Sequence, residues 1–406
     1  MRILLINNLF QPEPNHLKGL AFAKALVDRG HSVHVLTGFP NYPGGRIYSG
    51  YHLHWTQRED IDGIPVTRVW MYPSHDRSTF RRSLNYLTLG ASMLLHAPFL
   101  GAYDVCYVYM GPITLMWPAI YLKWFRRTPI VADVQDIWPE SVTDSGMLRS
   151  GILLSCIRAI TQWSYRRADR FVVLSQGYKK SLGKRGLPTD RIDVLLNWTP
   201  ELPTQVIPRA AQECFRLGKL NVLYAGNMGR LQALGNVLDA AKVLLARNSL
   251  AQFILVGDGI EFDTIASRVR DESLTNVSLL SRVDAASATA MQQQADVLLI
   301  HLLSSNLTRM GIPQKVQSYM AAGKPILAAV EGDAARLVIE AGCGTVCVPC
   351  DPAGLADAVQ ALEQLPSALR DAMGSRGRDF YQANMSFKCG MHKVDEVLAE
   401  VGANSK

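Results

Sequence analysis

The chain has 406 residues, 48% hydrophobic and 19% charged. That is a globular composition with length for two domains, each large enough to bury a full core. The net charge of +7 is uneven, with 23 Lys+Arg and 14 Asp+Glu in residues 1–200 and 19 and 21 in the rest. The seven cysteines, an odd number spread from 106 to 389, argue for a reducing compartment and against a disulfide framework.

Met1 runs straight into "RILLIN" (2–7), with no charged n-region or cleavage site, so no secretory signal is expected. This first segment reads as a buried strand. "LAFAKALVDRG" follows as an amphipathic helix ending at Gly30, and "SVHVLT" (32–37) is the next strand. Strands "PVTRVW" (65–70), "DVCYVYM" (104–110), "PIVADV" (129–134) and "RFVVLS" (170–175) alternate with helical periodicity. Continuous apolar strands separated by helices predict a parallel, doubly wound α/β sheet. Residues 84–101 are mostly apolar but are interrupted by Asn85, His96 and Pro98. They make a poor spanning helix, and one that lies in an interface or packs over the domain fits better. The basic half mixes its charge with aromatics among aliphatics, in "YLKWFRRTP" and "WSYRRADR", and carries no nucleic-acid module.

"WTPELPTQVIPRA" (198–210) has three prolines and no periodicity, and reads as a linker. The pattern then restarts with strands "LNVLYAG" (220–226), "QFILVGDG" (252–259), "NVSLL" (276–280), "ADVLLI" (295–300), "KPILAAV" (324–330) and "GTVCV" (344–348). Two Rossmann-like sheets in one chain predict two domains, with ligands bound beyond the carboxyl ends of the strands. Facing each other across a cleft, they would suit a two-substrate transferase. Cys343, Cys347 and Cys350 lie close in sequence, but no fourth ligand stands at zinc spacing, and plain thiols are expected.

The candidate residues follow from those strand ends. "AGNMG" (225–229) opens a helix directly after a strand. Gly226 and Gly229 would bring backbone amides close to a phosphate, and Arg230 would neutralise a diphosphate. The same glycines serve equally for turn geometry alone. In "VGDG", Gly257 sits in a second such turn, and Asp258 reads as a helix cap. "GIPQKVQSYMAAGKP" (311–325) starts a helix at Gln314-Lys315. A cation there opposes the helix dipole, and an anionic ligand would offset it, so Lys315 is the expected phosphate contact. In the first half, the loops 7–19 and 37–45 place Pro14, Asn15, His16, Phe39, Asn41 and Tyr42 at strand ends, in reach of a sugar or lipid-linked acceptor. The loop "ADVQDIWPES" sets Trp138-Pro139 as an apolar wall. Asp136 and Glu140 would orient an acceptor hydroxyl or move its proton, and Glu140 equally suits the first turn of a helix. Asp133, still within the strand, is expected to make a structural hydrogen bond.

Taken together, "TGFPNYPGG", "VQDIWPES", "LSQGYKKSL", "AGNMGRLQAL", "VGDG" and "PQKVQSYMAAGKP" resemble, in order and spacing, the family-4 glycosyltransferases. The subgroup builds bacterial O-antigens, capsules and exopolysaccharides and includes N-acetylfucosamine transferases. The resemblance implies a GT-B fold and a retaining, nucleotide-sugar-dependent reaction. It implies domains over 1–200 and 204–383, with a helix over about 384–406 crossing back to the first. It assigns Gly226, Asn227, Gly229 and Arg230 to the donor diphosphate, Gln232 and Gly257 to donor binding, and Arg282 and Val283 to the base. It sets Gln314 and Lys315 at the phosphates and Asp136 near a catalytic position. The implied donor is UDP-linked and N-acetylated, with no essential metal or other cofactor. The implied acceptor is polyprenyl-diphosphate-linked, which places the enzyme in the cytoplasm, peripheral to the inner face of an anionic bacterial membrane, with no nucleic-acid partner. The chain departs from many relatives in lacking paired glutamates, with Met310 and Ser318 at those positions, and in lacking a lysine soon after Arg230. A UDP-sugar 2-epimerase of similar fold and an inactive, nucleotide-sugar-binding membrane scaffold are the alternatives.

Overall fold

The computed structural model describes residues 1–74, 78–138, 140, 151–200 and 207–403. Pro139 of the expected apolar wall and residues 201–206 of the expected linker lie outside them. The chain forms two compact units, Met1–Leu196 with Phe387–Lys406, and Asn197–Ser386.

The first unit is built on a sheet of β1 (Arg2–Ile6), β2 (Ser32–Gly38), β3 (Thr56–Ile61), β4 (Ile64–Val69), β5 (Val105–Met110), β6 (Ile130–Val134), β7 (Arg170–Val173) and β8 (Ile192–Val194). Their order is β3-β4-β2-β1-β5-β6-β7-β8, parallel except for β3 against β4. The central strands are buried along their length, which is why they read as unbroken apolar runs. Sequence periodicity does not pick out β3. "TQREDI" alternates between exposed and half-buried positions and carries charge, as an edge strand does. Its turn was nevertheless written in the chain. Asp62 and Gly63 have φ of 53° and 83°, the left-handed pair of a tight hairpin that an Asp-Gly dipeptide favours. The short β8, also without a sequence signal, closes the other edge.

The segment expected to pack over the domain is the helix Thr79–His96, capped by Ser78. Leu89 and Met93 face inward, while Phe80, Leu87 and Leu95 are exposed. Among the described residues no helix is long and apolar enough to cross a membrane. The helix Phe387–Ala403 belongs to this unit, held by Arg29–Asp395 at 2.8 Å and Arg170–Glu400 at 2.5 Å.

The second unit has β9 (Leu220–Ala225), β10 (Ala251–Gly257), β11 (Val277–Ser281), β12 (Val297–His301), β13 (Ile326–Ala329) and β14 (Gly344–Cys347). All are parallel, in the order β11-β10-β9-β12-β13-β14. Val222, Tyr224, Phe253, Leu255 and Leu299 pack against Val237, Leu238 and Leu244 of the helix Leu234–Ala246 to form its core. The strand order reverses between β9 and β12. Connections on the two sides of that point diverge, opening a crevice at the strands' carboxyl ends.

Candidate active site

A crevice at the carboxyl ends of β9, β10 and β11 holds half of the ten residues expected to bind a donor, and Lys315 approaches it at Gly226. A cavity of about 350 Å³ is lined by Gly226, Asn227, Gly257, Arg282 and Val283 among others. The turns that form it leave no room for side chains. A Cβ on Gly257 would lie 1.8 Å from the carbonyl oxygen of Gly226. Gly226 itself has φ of 145°, and a Cβ there would meet the Lys315 ammonium at 2.7 Å.

Lys315 stands in the first turn of the helix Gln314–Ala322. Its side chain is half-buried, and Nζ lies 4.7 Å from the centroid of the Tyr224 ring. Burial pushes its pKa down to about 8. Among the described residues no carboxylate pairs with it. The cation stands over an aromatic face and close against Gly226, beside a helix N-terminus that already favours negative charge. An anion bound at this point would meet both.

The loop after β9 is stitched to the loop after β12. The Leu303 amide donates to the Leu231 carbonyl at 2.8 Å, and His301 Nδ1 donates to the Gln232 carbonyl at 2.8 Å. His301 is buried, which lowers its pKa and keeps it neutral. The Gln232 side-chain oxygen accepts from the Gly229 amide at 3.0 Å and from Asn227 Nδ2 at 3.1 Å. The Tyr224 hydroxyl donates to the Asn227 carbonyl, and the Ala225 amide donates to the Tyr319 hydroxyl at 3.2 Å.

These bonds correct one expectation. The amides of Gly226, Met228 and Gly229 donate to Val256, Asp258 and Gln232, so they are engaged in shaping the turn instead of facing a phosphate. The glycines contribute closeness, and Lys315 contributes charge. Arg230 is a partial departure as well. Its side chain is 83% exposed, with Nε 3.7 Å from Glu261 Oε1. Gln314 and Arg282 are exposed beside the crevice.

In the first unit the expected acceptor residues divide. Pro14 is exposed, His16 half-buried with its pKa lowered by burial, and Tyr42 36% exposed. Phe39 is fully buried in the core, and Asn41 is 2% exposed with its amide on the Phe39 carbonyl at 3.0 Å. Neither can stack on a ligand or bond to one. Asn15 caps its own loop, accepting from the Lys18 amide at 3.0 Å and donating to the Leu9 carbonyl at 3.0 Å. The two loops are tied together by Glu13, which accepts from the amides of Asn41 and Tyr42, both at 2.8 Å.

Beyond β6, Trp138 Nε1 donates to the Gly111 carbonyl at 2.8 Å, and its ring meets the edge of Tyr86. Glu140 is paired with Arg185, so its charge is committed locally. Asp136 has an exposed surface, yet the protein packed around its carboxyl raises its pKa, against the pull of Arg82. Asp133 is fully buried, as a structural carboxylate should be. It lies 3.4 Å from the buried Lys18 ammonium, and it accepts from the Tyr107 hydroxyl at 2.7 Å and from Gln135 Nε2 at 2.5 Å. Sequence reasoning missed Lys18, Tyr224, His301 and Tyr319. The available signal was a polar side chain ending an aliphatic strand, as His301 ends β12.

Known proteins resemble each unit. Residues 20–198 match the family model described as "Glycosyl transferase 4-like domain", and residues 219–364 match "Glycosyl transferases group 1". A probable glycosyltransferase WbjE of Pseudomonas aeruginosa is 27% identical over 310 residues, 75% of this chain and 76% of its own. A putative colanic acid biosynthesis glycosyl transferase WcaI of Escherichia coli K12 is 20% identical over 340 residues, 80% and 82% of the two chains. Among solved structures, sucrose-phosphate synthase from Thermosynechococcus elongatus superposes with a TM-score of 0.70 at 17% identity, covering 99% of both chains. Anabaena HepE in complex with UDP-glucose gives 0.66 at 16% identity, covering 98% of this chain and all of its own.

Proposed function

The chain is a glycosyltransferase of the GT-B fold, and from that premise we propose that it takes a sugar from a UDP-linked donor with retention of configuration. The observation that carries this reading is Lys315. Its ammonium, without a carboxylate partner among the described residues, lies against Gly226 and Tyr224 at the crevice, where a donor diphosphate would sit. The nucleotide would extend toward Arg282 and Val283, and Gln232 would hold the Asn227–Gly229 turn in shape.

Departure of the nucleoside diphosphate is the step that needs help, because negative charge grows on the leaving oxygen. A fixed cation and a helix N-terminus stabilise that charge without reorganising at the moment of reaction. Arg230, exposed on the same loop, would add to them once the diphosphate competes with Glu261. The leaving oxygen takes the acceptor's proton on the same face. Asp136 of the first unit orients the acceptor hydroxyl. This mechanism assigns no role to a metal or other cofactor.

The donor sugar we favour is an N-acetylated hexosamine or deoxyhexosamine, transferred to a polyprenyl-diphosphate-linked saccharide at the cytoplasmic face of the inner membrane in polysaccharide synthesis. The support is the kinship with WbjE and WcaI, one of which is named for colanic acid biosynthesis. UDP- and GDP-sugars screened for protection against thermal unfolding test the donor, since a ligand at 100 times its dissociation constant stabilises by about 2.7 kcal/mol. Protection by UDP-sugars, with transfer only when lipid extract is added, is the expected result. An epimerised sugar nucleotide from donor alone would replace the reading with a 2-epimerase. Binding without turnover on any extract would make the chain an inactive scaffold.

A further inference from the structure

Three helices of the first unit, Thr79–His96, Met116–Arg126 and Ile152–Tyr165, border an apolar groove of about 720 Å³. Its wall is made by Trp117, Tyr121, Trp124, Phe125, Ile160 and Trp163. These side chains are set in place instead of collapsed inward. Trp124 meets Trp163 edge-on at 5.7 Å, Tyr121 packs on Phe125 at 4.5 Å, and the Arg167 guanidinium lies 3.8 Å from the Trp163 ring centroid. Arg167 Nη1 also donates to the Trp163 carbonyl at 2.7 Å. Even so, Trp124 is 57% and Phe125 69% exposed. An apolar face of this kind marks a surface that something else covers.

The charge around the groove says what. The stretches of these helices that line the groove carry Lys123, Arg126 and Arg158, and none of the three helices has an Asp or Glu. Arg127 and Arg166, just beyond the helix ends, are exposed too. Asp169, the acidic residue that follows, is already paired with Lys123 at 2.7 Å. A second copy seated on the same patch by two-fold symmetry would bring these cations against their own kind. A nucleic acid would need polar groups beside its stacking aromatics, and this lining is aromatic and aliphatic. Tryptophan and phenylalanine ringed by arginine match the boundary of an anionic bilayer, where aromatic rings rest at headgroup depth and cations meet lipid phosphates.

We propose that this groove and its arginine border seat the first unit on a bilayer containing anionic lipid, with Trp124, Phe125 and Trp163 at the headgroup–acyl boundary. The inference deepens the membrane-linked acceptor proposed above. Its test reads vesicle binding and not transfer, so either can fail alone. The full chain is sedimented with phosphatidylglycerol–phosphatidylcholine vesicles, and with phosphatidylcholine alone, at low and high salt. The wild type should bind the anionic vesicles, more weakly in high salt. Trp124→Ser/Phe125→Ser should weaken binding at least about tenfold by withdrawing two aromatic rings from apolar contact. Arg158→Glu/Arg166→Glu should weaken it and flatten its salt dependence. All four side chains are exposed, so UDP protection against unfolding should be unchanged and serves as the folding control. The proposal is overturned if the wild type ignores anionic vesicles, or if both variants bind as the wild type does. It is also overturned if the aromatic variant converts a dimer to a monomer without changing lipid binding, which would give the groove to a second copy.

Discussion

Lys315 carries most of the chemistry assigned to the second unit, and its environment has a readable consequence. Burial lowers its pKa to about 8, below the value in an unfolded chain. The folded, ligand-free protein therefore binds fewer protons than the unfolded one between about pH 8 and the ordinary lysine value. Its stability contribution rises with pH across that window. Donor affinity goes the other way, because the anion needs the protonated form. UDP affinity should be flat below pH 8 and fall by up to about tenfold per unit above it, and titration calorimetry across pH 7 to 9.5 would show this. A profile without that break would mean that Lys315 does not carry the charge. Gly226→Ala should act through the same atom. With φ of 145° and a Cβ 2.7 Å from Nζ, the new methyl strains the turn and displaces the ammonium. UDP should bind more weakly, and stability should fall by about 1–2 kcal/mol. Asp136→Asn should instead lower turnover more than donor affinity. Equal loss of both would assign Asp136 a structural role.

At the scale of elements, the central strands were legible because burial on both faces writes them as continuous apolar runs. The edges were not, since β3 carries charge on a half-solvated strand and β8 spans only Ile192–Val194. The glycine turns were legible because loops packed this closely at strand ends leave no room for a side chain. What escaped was tertiary. Nothing in the spacing of Lys18 and Asp133, or of His301 and Gln232, says that they touch. The Lys18–Asp133 pair is wholly buried, and burial lowers the Lys18 pKa while Asp133 holds it up. Lys18→Met would strand a buried carboxylate and should cost about 3–5 kcal/mol. Removing both charges in Lys18→Met/Asp133→Leu should recover part of that loss, and urea unfolding would measure the difference. If the single and double variants were equally unstable, the pair would not be coupled. The expectation that Phe39 and Asn41 face a ligand failed for the same reason. A loop's position at a strand end is visible in the sequence, but which of its side chains turn inward is decided by Glu13 gathering the amides of Asn41 and Tyr42.

At the scale of the whole molecule, the two units carry different charge, and the proposed mechanism gives them different tasks. The basic unit holds aromatic surface and Asp136, and the other holds the crevice at the strand ends, with Lys315 beside its Gly226. The assignment of donor binding to the second unit is the claim on which the mechanism turns, and UDP-induced protection of the full chain against thermal unfolding, compared between wild type and Lys315→Ala, tests it most directly. The account predicts a clear rise in midpoint for the wild type and a rise that nearly vanishes in the variant at the same UDP concentration. Equal protection of both proteins, or none of the wild type by UDP or any UDP-sugar, would contradict it.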